Sequence, residues 1–163
     1  MERVNLFRVQ AEFDGSDPEG YGAGMARFGP SIGAALLGGT VYELPPGASI
    51  CPYHYEYGDE EWLVALTGAA AVRHPGGEDE LEPGDVVCFP PGPEGAHKVT
   101  NRTGETIRVL MLSTKSPVSV AVYPDSDKIG VFPGNPEDTI MVRRESGVGY
   151  WDREVPVEES PER

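Results

Sequence analysis

Two segments of this chain concentrate the residue types that bind divalent metals. Residues 47–68, GASICPYHYEYGDEEWLVALTG, hold His54, Glu56 and Glu61, and residues 84–101, GDVVCFPPGPEGAHKVTN, return a single histidine, His97. His54 and Glu56 are two residues apart, and side chains at i and i+2 share one face of a strand. An extended 52–57 therefore points His54 and Glu56 one way and Tyr53, Tyr55 and Tyr57 the other. After the turn at 57–59 a neighbouring strand can bring Glu61 beside that pair, while His97 comes from a further strand set by the PPGPEG turn before it. Two imidazoles and two carboxylates suit Mn²⁺, Fe²⁺, Zn²⁺ or Ni²⁺ better than Cu. Two anionic ligands neutralise a divalent ion, and four donors on a six-coordinate ion leave two positions open. Those positions suit a small molecule that chelates through two oxygens, such as a diketone, enediol or hydroxy acid. Proton transfer there needs a general base and oxygenation needs redox-active Fe or Mn; the residues leave both open and single out no further catalytic group.

Rigid strands are what such a site requires. Gly and Pro number 21 and 16 among 163 residues, a composition that favours many short strands joined by tight turns. Residues 34–44, AALLGGTVYEL, are apolar and stop at Pro45-Pro46-Gly47. Further strands are expected at 62–66, 69–73, 85–89 and 107–112, separated by Thr67-Gly68, Pro75-Gly76-Gly77, Pro83-Gly84, Pro90-Pro91-Gly92-Pro93 and Thr103-Gly104. This regular punctuation indicates a sandwich or barrel. The opening VNLFRV reads as a strand, 15–24 as a loop, and 30–35 as a short helical turn. Past Ser116, residues 118–123 add a strand, 123–138 read mostly as loop, and 139–143 and 149–151 are expected to pair back on the barrel or on a second subunit. The terminal VPVEESPER is expected to fray.

These residues resemble the two motifs of the cupin superfamily, roughly G-x5-H-x-H-x3–4-E-x6-G and G-x5-P-x-G-x2-H-x3-N. The chain reads Gly47-x6-His54-x-Glu56-x4-Glu61-x6-Gly68 and Gly84-x5-Pro90-x-Gly92-x4-His97-x3-Asn101. It departs by one residue before His54, by two before His97, and by carrying Glu56 where the family has its second histidine. The resemblance implies an all-β fold, a double-stranded β-helix (jelly-roll) barrel with extra N- and C-terminal strands. It implies one domain over 1–163, with a barrel core at about 34–115 and a C-terminal extension at 116–163. It also implies a divalent metal at His54, Glu61 and His97, to which strand parity adds Glu56, and commonly a homodimer. The tail beginning YPDSDK is similar to that of single-domain bacterial cupins. The activity implied is that of a small metalloenzyme of dioxygenase, isomerase or decarboxylase type, and the alternative is a non-catalytic ligand-binding or sensing barrel.

The remaining features narrow the partners. A formal charge of −14 argues against nucleic acid and against anionic membranes, leaving a small-molecule ligand. No segment reaches transmembrane length and the start lacks a signal-peptide core, so a cytoplasmic protein is expected. Cys51 and Cys88 are too few for a disulfide framework and are expected to be small buried hydrophobes. His74, near a Pro-Gly-Gly hairpin tip, is expected at the surface, and Trp62 to pack facing away from Glu61.

Overall fold

The computed structural model describes residues 1–154, so the expected fraying of VPVEESPER lies outside the described residues. Its strands are β1 (Gly24–Arg27), β2 (Leu37–Leu44), β3 (Tyr55–Glu56), β4 (Glu61–Thr67), β5 (Ala70–His74), β6 (Gly77–Leu81), β7 (Val86–Phe89), β8 (Lys98–Thr100), β9 (Ile107–Thr114), β10 (Ser119–Tyr123), β11 (Lys128–Phe132) and β12 (Ile140–Arg143). They form three antiparallel sheets, ordered β1-β2-β9-β4-β7, β12-β11-β10-β3 and β6-β5-β8. The protein is thus all-β, joined by short 3-10 turns, one of them at Pro30–Ile32 where the sequence predicts helical character.

Strand alternation builds the core. On β9, Ile107, Val109 and Met111 point into the main cluster, while Leu110 and Leu112 point to the opposite face. On β4, Leu63 and Ala65 join the main cluster and Val64 and Leu66 the other. The main cluster is closed from the three-stranded sheet by Ala70, Val72, Leu81 and Val99. This is a barrel interior filled from facing sheets. Gly68 turns the chain between β4 and β5 with φ +71, and a Cβ there would lie 2.4 Å from the Ile107 methyl Cγ2, so glycine is required both by backbone and by space.

The structure corrects four sequence expectations. Residues 4–9 form a turn, not a strand: the Asn5 side chain accepts from Phe7 N at 3.0 Å, and its carbonyl from Arg8 and Val9 N. That local bonding outcompetes a sheet ladder. Val4, Leu6 and Val9 then cover the outer face of the five-stranded sheet, tied down by the Arg108 guanidinium donating to the Leu6 and Val9 carbonyls. Residues 123–138 contain β11, because PDSD is a hairpin turn with Asp127 in the left-handed region (φ 49) rather than an open loop. Cys88 is exposed, since it sits on edge strand β7 opposite Trp62, whose indole is half exposed and donates to Glu60 Oε1 at 2.7 Å. Residues 150–153 form a turn, leaving β12 paired on β11 alone. No helix among the described residues is long and apolar enough to cross a membrane.

Candidate metal centre

Three strand phases converge on one point. Glu61 shares the parity of Leu63 and Ala65 on β4, so it faces the barrel interior at the strand's end. His97 shares the parity of Val99, which is in the core, whereas Lys98 faces the other way. His54 and His97 lie directly opposite as an antiparallel bridge: His54 N donates to His97 O at 3.1 Å, and His97 N to His54 O at 2.8 Å. The sequence positions 43 residues apart thus meet as one backbone pair.

The turn before His97 is held by close packing. Gly92 N donates to Glu56 O at 2.7 Å, joining the second segment to β3. A Cβ on Gly95 would lie 1.9 Å from the Pro90 carbonyl oxygen, closer than any side chain permits. The Gly95 carbonyl accepts from His97 Nδ1 at 2.9 Å, and the Pro52 carbonyl accepts from His54 Nδ1 at 3.0 Å. Each imidazole therefore carries its proton on Nδ1 and turns the Nε2 lone pair inward. Phe89 stacks on His97 with ring centroids 3.7 Å apart and planes at 7°. Tyr123 stacks on His54 at 5.8 Å.

Glu61 Oε2 lies 3.4 Å from His97 Nε2 and 3.9 Å from His54 Nε2. These are not ion pairs. Burial, with His54 beside it, pushes His97 down to about 4, and burial likewise lowers His54. Burial, followed by the charges of Glu56 and Asp59, pushes Glu61 up to about 8. Two Nε2 lone pairs and the Glu61 carboxyl group thus face one another, and with no ion present the one proton between them is the one that burial favours on Glu61. That donor set fits a divalent cation, which satisfies all three at once. The ligand atoms of His54, Glu61 and His97 lie within 4.8 Å of one another, the only such group among the described residues.

Glu56 lines the same cavity, of about 230 Å³, but its carboxylate stands outside that 4.8 Å group. Burial raises its pKa, and its strand partner on β10 is Ala121. The tyrosine parity separates as the sequence predicts: Tyr53 and Tyr55 pack with Ala96 and Val122 in a distinct cluster, and Tyr57 is exposed. His74 is partly exposed, with Nε2 3.2 Å from Asp79 Oδ2. Tyr42, Met25 and Cys51 also line the cavity, and sequence reasoning assigned none of them to its wall. The available signal was pairing: Met25 opposes Tyr42 in the β1–β2 register. Cys51 Sγ lies 3.5 Å from His54 Nδ1, and burial pushes its thiol up to about 12. A larger groove of about 630 Å³ runs between the N-terminal segment and β1, outside the barrel.

The chain is similar to known proteins in sequence and fold. A family model described as a cupin domain matches residues 40–113. An (R)-mandelonitrile lyase from Granulicella tundricola is 31% identical over 107 residues, 63% of this chain and 80% of that protein. A sugar phosphate isomerase from Silicibacter pomeroyi, described as from a cupin superfamily, superposes with a TM-score of 0.76 at 23% identity, covering 92% of this chain and 98% of that one. The polyketide cyclase RemF from Streptomyces resistomycificus superposes at 0.57 with 26% identity, covering 70% of this chain and 79% of that one.

Proposed function

The chain belongs to the cupin superfamily, and on that premise we propose that it is a metalloenzyme acting on an oxygen-rich small molecule. In this reading His54, Glu61 and His97 hold a divalent ion (Mn, Fe, Zn or Ni), with Glu56 as a further donor from the same wall. The observation that carries it is the inward convergence of two Nε2 lone pairs and the Glu61 carboxyl group on one point. When bound, the ion supplies a Lewis acid for a substrate carbonyl or hydroxyl. The protein's own part is orientation: the Pro52 and Gly95 carbonyls fix the two tautomers, and Phe89 holds the His97 ring in plane. Met25 and Met111 add apolar surface to the cavity wall.

Catalysis, rather than sensing alone, is supported by the names of the 31% identical lyase and the 26% identical cyclase. The free thiols Cys51 and Cys88 support a reducing compartment and hence the cytoplasm. Exposed apolar residues on β12 support a homodimer.

Metal analysis of protein purified without added metal tests the centre. About one equivalent per chain is expected, either as isolated or after adding Mn²⁺, Fe²⁺, Ni²⁺ or Zn²⁺. Less than about a tenth of an equivalent, unrecovered by any of these ions, would sink it. A screen of diketones, enediols and hydroxy acids on loaded protein then separates enzyme from sensor. Turnover lost in both His97→Ala and Glu61→Ala identifies an enzyme; tight binding without turnover identifies a sensing barrel.

A further inference from the structure

The charges around the cavity constrain its ligand more sharply than its shape does. Its wall carries Glu56 and Glu61, and among the described residues no lysine or arginine lines it. A third carboxylate, Asp59, lies behind them, 6% exposed and bonded to Thr114 Oγ1 and Ser116 N. Arg27 and Lys98 act on Tyr42 and Cys51 from a distance, but both belong to grooves outside the barrel. Lys98 leans over the Tyr21 ring, with Nζ 5.0 Å from its centroid, on the outer face of β8.

We propose that this cavity selects uncharged hydroxyl- and carbonyl-bearing ligands and rejects carboxylates and phosphates, with Glu56 setting that preference. The inference rests on the divalent-ion reading above. With a divalent ion in place, Glu56 and Glu61 balance it, and no positive charge is left for an anionic ligand group. A buried anion without a partner is costly, and phosphate sites rely on Arg, Lys or a helix N-terminus, none of which lines this cavity among the described residues. Glu56 instead offers an acceptor to a ligand hydroxyl, and the Tyr42 phenol can donate or accept. A volume of about 230 Å³ falls below the roughly 300–1,000 Å³ of drug-sized sites, so the ligand has only a few carbons.

Glycolamide and glycolate differ in charge but hardly in shape, and both chelate through two oxygens. Their binding to Mn²⁺-loaded protein is read by water-proton relaxation, which needs no turnover. Two variants change the charge in different ways: Glu56→Gln removes a carboxylate, and Met25→Arg adds a cation to the wall with Glu56 intact. Relative to wild type, each is expected to raise the ratio of glycolate to glycolamide affinity by about tenfold. If glycolate binds wild type as well as it binds both variants, relative to glycolamide, the inference falls while the metal reading stands. If wild type takes up none of Mn²⁺, Fe²⁺, Ni²⁺ and Zn²⁺, the metal reading falls and takes the inference with it. Should Glu56→Gln misfold or lose Mn²⁺, Met25→Arg decides alone: an unchanged ratio overturns the inference.

Discussion

At the scale of single residues, the centre depends as much on what holds the histidines as on the histidines themselves. His97 is 2% exposed, stacked on Phe89 and bonded through Nδ1 to the Gly95 carbonyl. Gly95 can sit there only because it has no Cβ, which would lie 1.9 Å from the Pro90 oxygen. Gly95→Ala must therefore move the loop and misplace the acceptor of His97 Nδ1. We expect metal affinity to fall by about 10–100-fold, as for loss of a partner that orients a ligand, with the fold retained. Competition against a chromogenic chelator measures it, and an affinity within about twofold of wild type would show that the carbonyl does not orient His97. The convergence of His54, Glu61 and His97 was legible in their types, spacing and parity. The position of Glu56 was legible only as far as the wall it shares: parity gives a face, whereas the reach of a carboxylate across a cavity depends on packing. Tyr42 was not legible at all, because an aromatic on an apolar strand looks like core until its cross-strand partner Met25 is known.

At the scale of elements, one fully buried amide joins several of them. Asn101, 0% exposed, follows β8 and donates through Nδ2 to Leu44 O on β2 at 2.8 Å and to Glu105 O at 2.7 Å. Its Oδ1 accepts from the Thr103 backbone and hydroxyl, both at 2.8 Å. The motif asparagine is thus a clamp just past the end of β8, the strand that follows His97, and is not one of the residues lining the ligand cavity. Asn101→Ala leaves buried carbonyls unpaired and should cost about 2–3 kcal/mol, read as a lower urea midpoint at unchanged slope. A loss under about 0.5 kcal/mol would mean that water replaces the amide. Alternation and turn residues made β4, β5, β7 and β9 legible, because there the local pattern and the buried face agree. The N-terminal segment and β11 were not. In the first, Asn5 bonds its own neighbours; in the second, the flanking PDSD and PGNP carry turn chemistry that in a hairpin belongs to the strand's ends.

At the scale of the whole molecule, the acidic surface and the apolar outer strand pull against each other. β12 ends its sheet, all its residues are exposed, and Ile140, Met141 and Val142 are 52, 46 and 42% exposed. Val148, Tyr150 and Trp151 follow, exposed at 76, 84 and 76%. An exposed apolar edge on a monomer invites pairing, and a second copy of the chain is the partner we propose for it. Two copies each carrying −14 repel one another, so the apolar contact must overcome a charge term that salt screens. Association should accordingly strengthen as salt rises, the reverse of an interface held by ion pairs. Light scattering at micromolar concentration should give a dimer mass, and Met141→Lys with Val142→Lys should shift it toward the monomer without lowering metal content. A monomer at every salt concentration, or a dimer that salt dissociates, would contradict this arrangement: the first removes the partner, and the second assigns the contact to charge rather than to the exposed edge.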